Sequence, residues 1–365
     1  MKKILFFIPT LGGGGAEKVL VNLVNNLDRN DFDITVQTLF DVGINKKNLK
    51  PYIKYKYVFK RLFPGNIHFL KLFPKEYLYK KMVREDYDVV VSYLEGPTTR
   101  IVAGCDNKKT KIINWVHTEM NTISEFSSSY RSLKEMKETY KKYDMTIFVA
   151  KTTLENFHKY MNLKLKNEKV IRNIVETKEI ERKAQKEMYK NKELTLVTLA
   201  RLAKSKGYDR LLKIHKKLLE EGIKHKVWIL GEGPEREKIE KYIKENNLKE
   251  TVKLWGYQEN PYKFINKADI YVCSSYIEGY STAVTEAIIV GKPIVTTRCS
   301  GMNEILENGK YGMIVENNEK ALYEGIKKML INTELRKKYE NLSTKRKEYF
   351  NIGNQLKQVA DILNN

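Results

Sequence analysis

The chain has 365 residues, of which 42% are hydrophobic, and a formal net charge of +22. It is too long for one ordinary core and suits two domains of about 170 residues each. It has no apolar run of about 18 residues, which excludes a membrane-spanning helix, and the apolar stretch 4–9 is too short for a signal peptide. We therefore expect a cytoplasmic protein whose three cysteines, Cys105, Cys273 and Cys299, are reduced and buried.

The first half of the chain alternates short apolar segments with helical or irregular ones. Residues 4–8 are typical of a buried strand, and the four glycines of 12–15 separate this strand from an amphipathic helix that ends near Leu27. Further strands are predicted at 34–39, 89–92, 112–116 and 146–149. Such an alternation predicts a parallel sheet wrapped by helices.

Within this half, the stretch 52–84 mixes basic and aromatic residues. Between Lys54 and Arg84, nine Lys or Arg residues accompany a single acid, Glu76. Such a surface suits an anionic membrane, where each basic residue contributes about 1 kcal/mol and aromatic rings settle among the headgroups. Nucleic acid would also accept it, and solvated lysines of a lysine-rich chain are the third interpretation. We expect contact with an anionic membrane surface and no nucleic-acid partner.

The α/β pattern restarts near residue 194. Strands are predicted at 194–199, 227–230, 252–255, 270–273 and 293–297, with helices at 208–220 and 235–245 between them. The chain therefore has two consecutive doubly wound units. We expect a first domain at 1–173, a second domain at 174–345, and a C-terminal helix at 346–365.

The most informative segment, residues 274–287, joins two predicted parallel strands through a helix. Ser281 can cap this helix at its start, and Gly291 can end it. Glu278 then lies on the loop at the carboxyl end of a strand, where open α/β sheets bind their ligands, and Glu286 lies on the helix itself.

Basic and small residues follow other strands in the same way. Arg201 and Lys206 come directly after the first strand of the second unit, where a guanidinium and an ammonium could clamp a diphosphate. The glycine loop 12–15 allows a ligand phosphate to approach a helix start, although simple steric need also produces such loops. The turn at 231–234 contains two further glycines.

Other candidate residues carry weaker signals. His117 ends a strand of the first unit, where a lone histidine is more often structural than functional. Asp86 and Asp88 match an Asp-x-Asp metal motif, but Asp88 only precedes a strand, so we interpret the pair as a strand-edge turn. The chain has no His/Cys cluster with metal-ligand spacing, and we expect no metal and no cofactor.

These residues together resemble family 4 of the retaining glycosyltransferases. The family has the GT-B architecture, in which two Rossmann-like domains face each other across a cleft and a C-terminal helix returns to the first domain. The resemblance covers most of the chain, and its set of motifs is highly specific although each motif alone is weak. The motifs that carry it are Gly14-Gly15-Ala16-Glu17, His117, Arg201-Leu202, Lys206-Gly207, Gly231-Glu232-Gly233-Pro234, Trp255-Gly256-Tyr257, Ala268-Asp269, Ser274-Ser275, Glu278-Gly279-Tyr280 and Glu286-Ala287.

The resemblance implies a role for each matched residue. Glu278 would contact the transferred sugar and Glu286 the ribose hydroxyls, while Arg201 and Lys206 would neutralise the leaving diphosphate. His117 would lie beside the sugar. The remaining donor-binding residues that the resemblance implies are Gly14, Gly15, Gly231, Tyr257, Gln258, Gly279, Tyr280, Ser281 and Thr282.

The resemblance also implies a reaction. We expect a hexose or N-acetylhexosamine to pass from a nucleotide diphosphate sugar, most simply a UDP-sugar, to a lipid-linked or polysaccharide acceptor in bacterial surface glycan synthesis. The anomeric configuration would be retained without a dedicated nucleophile or metal, and the enzyme would work at the inner face of the membrane. Two alternatives stay open: a nucleotide-sugar epimerase of the same fold, and a non-catalytic binder of nucleotide sugars or polyanions.

Overall fold

Buried strands rich in Val, Ile and Phe form two separate parallel sheets. The computed structural model describes residues 1–119, 122–188 and 192–365. The chain divides into two units, one made of Met1–Ile174 with Gly353–Asn365 and the other of Val175–Ile352. Each unit is an α/β domain with its own apolar core, which confirms the predicted fold class.

The first unit has a seven-stranded sheet in the order β3-β2-β1-β4-β5-β6-β7, in which all neighbours are parallel. Chain order reverses between β1 and β4, and ligands of open α/β sheets bind at such a reversal. Its strands are β1 (Lys2–Ile8), β2 (Phe32–Phe40), β3 (Lys54–Phe59), β4 (Val89–Ser92), β5 (Lys111–Val116), β6 (Met145–Phe148) and β7 (Glu168–Val170). Its helices are α1 (Gly15–Asn26), α2 (Asn66–Lys71), α3 (Lys75–Met82), α4 (Pro97–Val102), α5 (Ile123–Ser127), α6 (Leu133–Lys142) and α7 (Lys151–Met161), with a 3-10 helix at Ile44–Asn48.

The second unit has a six-stranded sheet in the order β10-β9-β8-β11-β12-β13, again with all neighbours parallel. Here chain order reverses between β8 and β11. The strands are β8 (Thr195–Leu199), β9 (Lys226–Leu230), β10 (Val252–Gly256), β11 (Ile270–Cys273), β12 (Ile294–Thr297) and β13 (Met313–Val315). The helices are α8 (Thr177–Ala184), α9 (Tyr208–Glu220), α10 (Arg236–Glu245), α11 (Tyr262–Lys267), α12 (Thr282–Ile289), α13 (Met302–Ile305), α14 (Glu319–Ile331) and α15 (Thr333–Arg346), with 3-10 turns at Lys204–Lys206 and Lys347–Phe350.

The last helix, α16 (Ile352–Asn364), returns to the first unit. The Lys111 ammonium at the start of β5 donates to the carbonyl of Ile362 at 2.8 Å, and Val359 and Leu363 are buried. The second unit continues to Ile352, whereas the end predicted from the sequence is residue 345. The difference arises because α15 and the 3-10 turn that follows it pack on the second unit, and charge along the chain carries no sign of that packing.

The basic aromatic stretch contains an edge strand that the sequence analysis missed. Alternating Lys and Tyr side chains on β3 point to opposite faces, as side chains on any strand do. Lys54 pairs with Asp33 at 2.6 Å, and the Tyr55 hydroxyl donates to Asp41 at 2.8 Å. The strand half of the stretch therefore has a structural role. Strands β7 and β13, of three residues each, were also missed.

Two buried histidines connect α9 to the neighbouring loops of the second unit. Nδ1 of His215 lies 2.8 Å from Nε2 of His225, and Nε2 of His215 lies 2.9 Å from the Thr251 hydroxyl. His225 Nδ1 lies 2.8 Å from the carbonyl of Ile223. Both rings are fully buried, and burial lowers the pKa of His215 to about 3 and also lowers the pKa of His225. The network therefore requires neutral rings.

We predict that this network makes the second unit sensitive to mild acid. Because the folded pKa of His215 lies below the unfolded value of about 6.5, its stabilising contribution is complete above pH ~6.5 and is lost as the pH falls. For His215 alone, the free energy of unfolding should fall by about 1.4 kcal/mol between pH ~7.5 and pH ~5.5. Urea unfolding monitored by tryptophan fluorescence measures this in a Trp115→Phe background, where both remaining tryptophans lie in the second unit.

A matched pair of variants isolates the effect. His215→Phe should flatten the pH dependence between these two pH values, and replacement of the exposed His68 by Gln should leave it unchanged. An equally steep pH dependence in His215→Phe and in its parent would contradict the assignment.

Candidate functional site

Two loops meet where chain order reverses in the second sheet. Strands β8 and β11 pair in parallel, with Leu196 opposite Ile270, so the residues after each strand come out at the same edge. There the Lys206 ammonium lies 2.8 Å from Oε1 of Glu278. The Lys206 side chain is 24% exposed and that of Glu278 is 11% exposed. Two residues that the sequence assigns to separate tasks thus form one ion pair in this structure.

The ion pair keeps the Lys206 ammonium charged at neutral pH. Burial lowers the pKa of Lys206, but the nearby Glu278 carboxylate raises it by more, so the net shift is upward. The same oxygen of Glu278 accepts a hydrogen bond from the Ser275 hydroxyl at 2.5 Å. The Cys273 thiol lies 3.9 Å away, and burial raises its pKa, so it stays neutral.

A buried arginine holds the loop that carries Glu278. Arg210, on α9, donates from Nε to the carbonyl of Ser274 at 2.8 Å and from Nη2 to the carbonyl of Ser275 at 2.6 Å. The ring of Tyr276 covers its guanidinium with 4.0 Å between guanidinium carbon and ring centroid. Sequence reasoning missed Arg210. The available signal was its position four residues after Lys206, at the start of the helix that follows the same loop.

Gly207 permits the close approach of the two loops. It is left-handed, with φ of +65°, and a Cβ at this position would lie 2.1 Å from the carbonyl oxygen of Ser274. The Ser274 hydroxyl in turn donates to the carbonyl of Lys206 at 2.9 Å. Only glycine satisfies both the backbone conformation and the contact.

Helix α12 carries the second glutamate. Ser281 is its N-cap and accepts from the Val284 amide at 3.3 Å, as the sequence predicts. Glu286 lies inside the helix and is only 3% exposed, and the Tyr262 hydroxyl donates to its carboxylate at 3.3 Å. Tyr280 is also buried, while Gly279 and Thr282 are half-buried around the helix start.

Arg201 and three of the predicted donor-binding residues, Gly231, Tyr257 and Gln258, follow the neighbouring strands. Arg201 is exposed after β8, and its guanidinium has no hydrogen-bond or ion-pair partner within the described part of the chain. Gly231 follows β9 with φ of +135°, and a Cβ there would lie 2.0 Å from the Ala200 carbonyl. Tyr257 is 48% exposed after β10, and the Gln258 amide donates to the carbonyl of Trp255 at 2.7 Å.

The first unit contains the remaining predicted residues at its own point of reversal. Gly14 is the N-cap of α1, with φ of −79°, and Gly15 begins the helix. These glycines are not needed for a left-handed turn; a Cβ on Gly14 would instead lie 2.3 Å from Oε2 of Glu17. The Glu17 carboxylate thus lies against the glycine loop at the helix start, where an anion is favoured.

His117 follows β5 and is 8% exposed, and neither ring nitrogen has a hydrogen-bond partner in the described part of the protein. Its ring packs on Tyr93 with 4.7 Å between ring centroids. Burial lowers the pKa of His117 to about 3, so the ring is neutral. The half-buried Glu95, which sequence reasoning missed, accepts from the His117 backbone amide at 2.8 Å.

The Asp-x-Asp motif has a structural contact. Oδ2 of Asp88 accepts from the Lys3 backbone amide at 2.8 Å, where β1 and β4 begin. Across residues 1–119, 122–188 and 192–365, no three His, Cys, Asp or Glu side chains group as metal ligands would.

Two consecutive parallel-sheet α/β units are the architecture of GT-B glycosyltransferases, and comparison with known families assigns the chain to that class. Residues 13–179 match the family described as Glycosyltransferase Family 4, and residues 179–346 match the one described as Glycosyl transferases group 1. Together the two matches span almost the whole chain. The chain belongs to glycosyltransferase family 4 and has the GT-B fold.

Individual relatives agree with this assignment. The chain is 27% identical over 370 residues to the N-acetylgalactosamine-N,N'-diacetylbacillosaminyl-diphospho-undecaprenol 4-alpha-N-acetylgalactosaminyltransferase of Campylobacter jejuni, with 96% of each chain covered. It is 28% identical over 170 residues to the poly(glycerol-phosphate) alpha-glucosyltransferase of Bacillus subtilis, covering 46% of this chain and 25% of the relative. The crystal structure of Anabaena HepE in complex with UDP and glucose shares the fold, with a TM-score of 0.81, 16% identity and full coverage of both chains.

We predict that Gly207→Ala abolishes most activity while a matched glycine substitution does not. Gly222 also has a positive φ, of +80°, but no atom lies within 4 Å of a Cβ built there. Gly222→Ala should therefore cost only the strain of the left-handed conformation, about 1–2 kcal/mol. Gly207→Ala adds a clash with the backbone of Ser274, and a displacement of about 1 Å at a reaction site can lower the rate about 100-fold.

The measurements are kcat/KM for the glycosyl transfer and the melting temperature of both variants. Equal activity losses in Gly207→Ala and Gly222→Ala would contradict the importance of the contact between the two loops.

Proposed function

We propose that this glycosyltransferase transfers a hexose or N-acetylhexosamine from a UDP-sugar to a lipid-linked or polysaccharide acceptor in bacterial surface glycan synthesis, with retention of configuration. The observation that carries the proposal is the Lys206–Glu278 ion pair at the reversal of the second sheet, with Arg201 exposed nearby. Both kinds of charge that a nucleotide diphosphate sugar requires are present there. Cations suit the diphosphate, and a carboxylate suits sugar hydroxyls.

The chemistry of the loops supports a reaction without a metal. As the bond between sugar and diphosphate breaks, negative charge develops on the leaving phosphate, and fixed cations stabilise it. Lys206 keeps its charge because its pKa is raised beside Glu278. The guanidinium of Arg201 is exposed and has no ion-pair partner within the described residues, so it can bind a phosphate without losing a protein contact. We therefore propose that Arg201 and Lys206 do the work that a divalent metal does in other transferases.

Three observations support the donor, the retention and the acceptor. A structure with the same fold holds UDP and glucose. The Campylobacter jejuni relative is named as an alpha-N-acetylgalactosaminyltransferase, and an alpha product from an alpha-linked nucleotide sugar requires retention. Its name also specifies a diphospho-undecaprenol-linked saccharide, and the Bacillus subtilis relative is named for poly(glycerol-phosphate). The first name specifies a lipid-linked saccharide and the second a polymer, which supports a lipid-linked or polymeric acceptor here.

The helical half of the basic aromatic stretch supports peripheral attachment to the inner face of the membrane. Around α2 and α3, Leu62 is 59% exposed and Leu72 is 74% exposed. Phe63, Phe69, Phe73 and Tyr77 form a continuous series of ring contacts, with centroids 5.3–5.8 Å apart. No helix in the described part of the chain is both long and apolar enough to cross a bilayer.

Donor turnover distinguishes transfer from the two alternatives. An epimerase would convert the donor sugar without an acceptor, and a non-catalytic binder would leave it intact. We predict for the wild-type protein that, among UDP-, GDP- and ADP-sugars, a UDP-sugar binds best and is consumed faster when an acceptor is added. Glu278→Gln should lower kcat by about 100-fold or more, because a carboxamide cannot replace the charge beside Lys206, while donor affinity changes by less than about tenfold.

Calorimetry measures donor affinity, and NMR of the product measures both turnover and anomeric configuration. Glu237→Gln, on the exposed face of α10, is the matched control and should be active. Undiminished turnover in Glu278→Gln would refute the role of Glu278, and an inverted product would refute retention.

We predict that membrane binding depends on the helical half of the stretch. Replacing Lys60, Arg61, Lys71 and Lys75 by Gln removes four charges, each of which contributes about 1 kcal/mol at an anionic surface. Co-sedimentation with phosphatidylglycerol vesicles should fall at least tenfold and should weaken as salt rises. The control replaces Lys238, Lys241, Lys244 and Lys249, which are exposed on and after α10, and should bind normally. Equal loss in both sets would indicate a non-specific effect of net charge.

A further inference from the structure

Unpartnered buried polar atoms are concentrated beside His117 in the first unit. The described part of the chain provides no hydrogen-bond partner for the Tyr93 hydroxyl, the Trp115 indole nitrogen or either ring nitrogen of His117. Most buried polar groups in folded proteins are hydrogen-bonded, so a cluster of exceptions needs an explanation. These atoms are closed to solvent in this structure, and a polar ligand that binds beside His117 as the side chains move provides one.

The cluster lies where a ligand of this sheet is expected. Tyr93 follows β4, and its backbone amide donates to the carbonyl of Phe7 on β1 at 2.9 Å, so it lies at the point where chain order reverses. The rings of Tyr93 and Trp115 are 4.8 Å apart, centroid to centroid. Aromatic surface together with unpaired donors and acceptors is the composition of a site for a polar ligand that also has apolar faces, as a pyranose does.

Glu95 adds a carboxylate to this cluster. One of its oxygens accepts from the His117 backbone amide at 2.8 Å, which fixes the side chain beside the histidine. Burial raises the pKa of Glu95, although hydrogen bonds from Thr118 and from the His117 amide lower it in part. The Glu95 side chain is only half-buried, so part of it stays accessible to a ligand hydroxyl.

We propose that Glu95 is a sugar-binding residue, whose carboxylate accepts a hydrogen bond from a pyranose hydroxyl bound against His117, Tyr93 and Trp115. The inference rests on the proposed glycosyl transfer and adds a recognition residue in the first unit. The neutral His117 ring has one donor and one acceptor nitrogen, so it can bind the same sugar alongside Glu95. The hydroxyl belongs either to the donor sugar or to the acceptor saccharide, and the two sources are separable by experiment.

Glu95→Gln is the informative substitution. The amide oxygen of Gln can still accept from the His117 amide, so a purely structural role of Glu95 should survive the change. The amide nitrogen cannot accept from a sugar hydroxyl. We expect either donor turnover to fall or the acceptor KM to rise by about 10- to 100-fold, while the melting temperature stays unchanged. Glu155→Gln, on the exposed part of α7, is the matched control.

Two assays identify the source of the hydroxyl. UDP release from UDP-N-acetylgalactosamine without acceptor reports the donor sugar, and KM for a p-nitrophenyl α-N-acetylgalactosaminide reports the acceptor. A loss confined to the acceptor KM assigns the hydroxyl to the acceptor, and a loss in donor turnover assigns it to the donor. The proposal is wrong if the Glu95→Gln variant folds like wild type and its donor turnover and acceptor KM both lie within twofold of the wild-type values.

Calorimetry separates this proposal from the proposed function. If the wild-type protein turns over no donor, transfer is refuted. In that case Glu95 is still tested by the affinities of wild type and Glu95→Gln for UDP, for UDP-N-acetylgalactosamine and for the free glycoside. The variant should bind UDP normally and bind one of the two saccharide ligands at least tenfold more weakly. If the Gln variant does not fold, Glu95→Asp, which keeps the charge but shortens the side chain, replaces it in every assay. Equal saccharide affinities in wild type and variant would overturn the proposal.

Discussion

The second unit depends on the pairing of two opposite charges that its fold places in a half-buried position. A charge removed from water is costly unless it is paired and hydrogen-bonded. Lys206 and Glu278 satisfy this requirement through each other and through the Ser275 hydroxyl. The parallel pairing of β8 with β11 brings their loops together, and Arg210 and Gly207 make the approach possible. The ion pair therefore depends on the whole edge of the sheet, and the donor chemistry that we propose depends on the ion pair.

The first unit has the same reversal of chain order but different side chains at that edge. Its sheet also reverses chain order, and the residues after β1, β4 and β5 come out at that edge. A neutral histidine, aromatic rings and the carboxyl group of Glu95 lie together there in a largely buried setting. A charged site suits a diphosphate, and a site with neutral donors and acceptors suits sugar hydroxyls. The two binding roles that we propose therefore differ because the two edges carry different side chains.

The basic aromatic stretch has two parts with different roles, which its composition alone does not distinguish. Its first part is an edge strand whose Lys and Tyr side chains pair with Asp33 and Asp41. Its second part forms short helices that leave Leu62 and Leu72 exposed. An edge strand rich in lysine also discourages pairing with other chains. Only the helical part has both the exposed apolar surface and the unpaired charge that a membrane requires.

The sequence alone determined the class of fold, the positions of most strands along the chain, the helix cap at Ser281, and the family, because these depend on local periodicity and on short motifs. It also predicted Lys206, Glu278 and His117 as site residues, and these assignments and the roles proposed for them stay predictions. It did not reveal that Lys206 pairs with Glu278, that Arg210 holds the loop or that Glu95 contacts the backbone of His117. Each of these contacts joins residues 22 to 72 positions apart. Such contacts exist only once parallel strands bring their ends to one edge, so tertiary structure alone decided them.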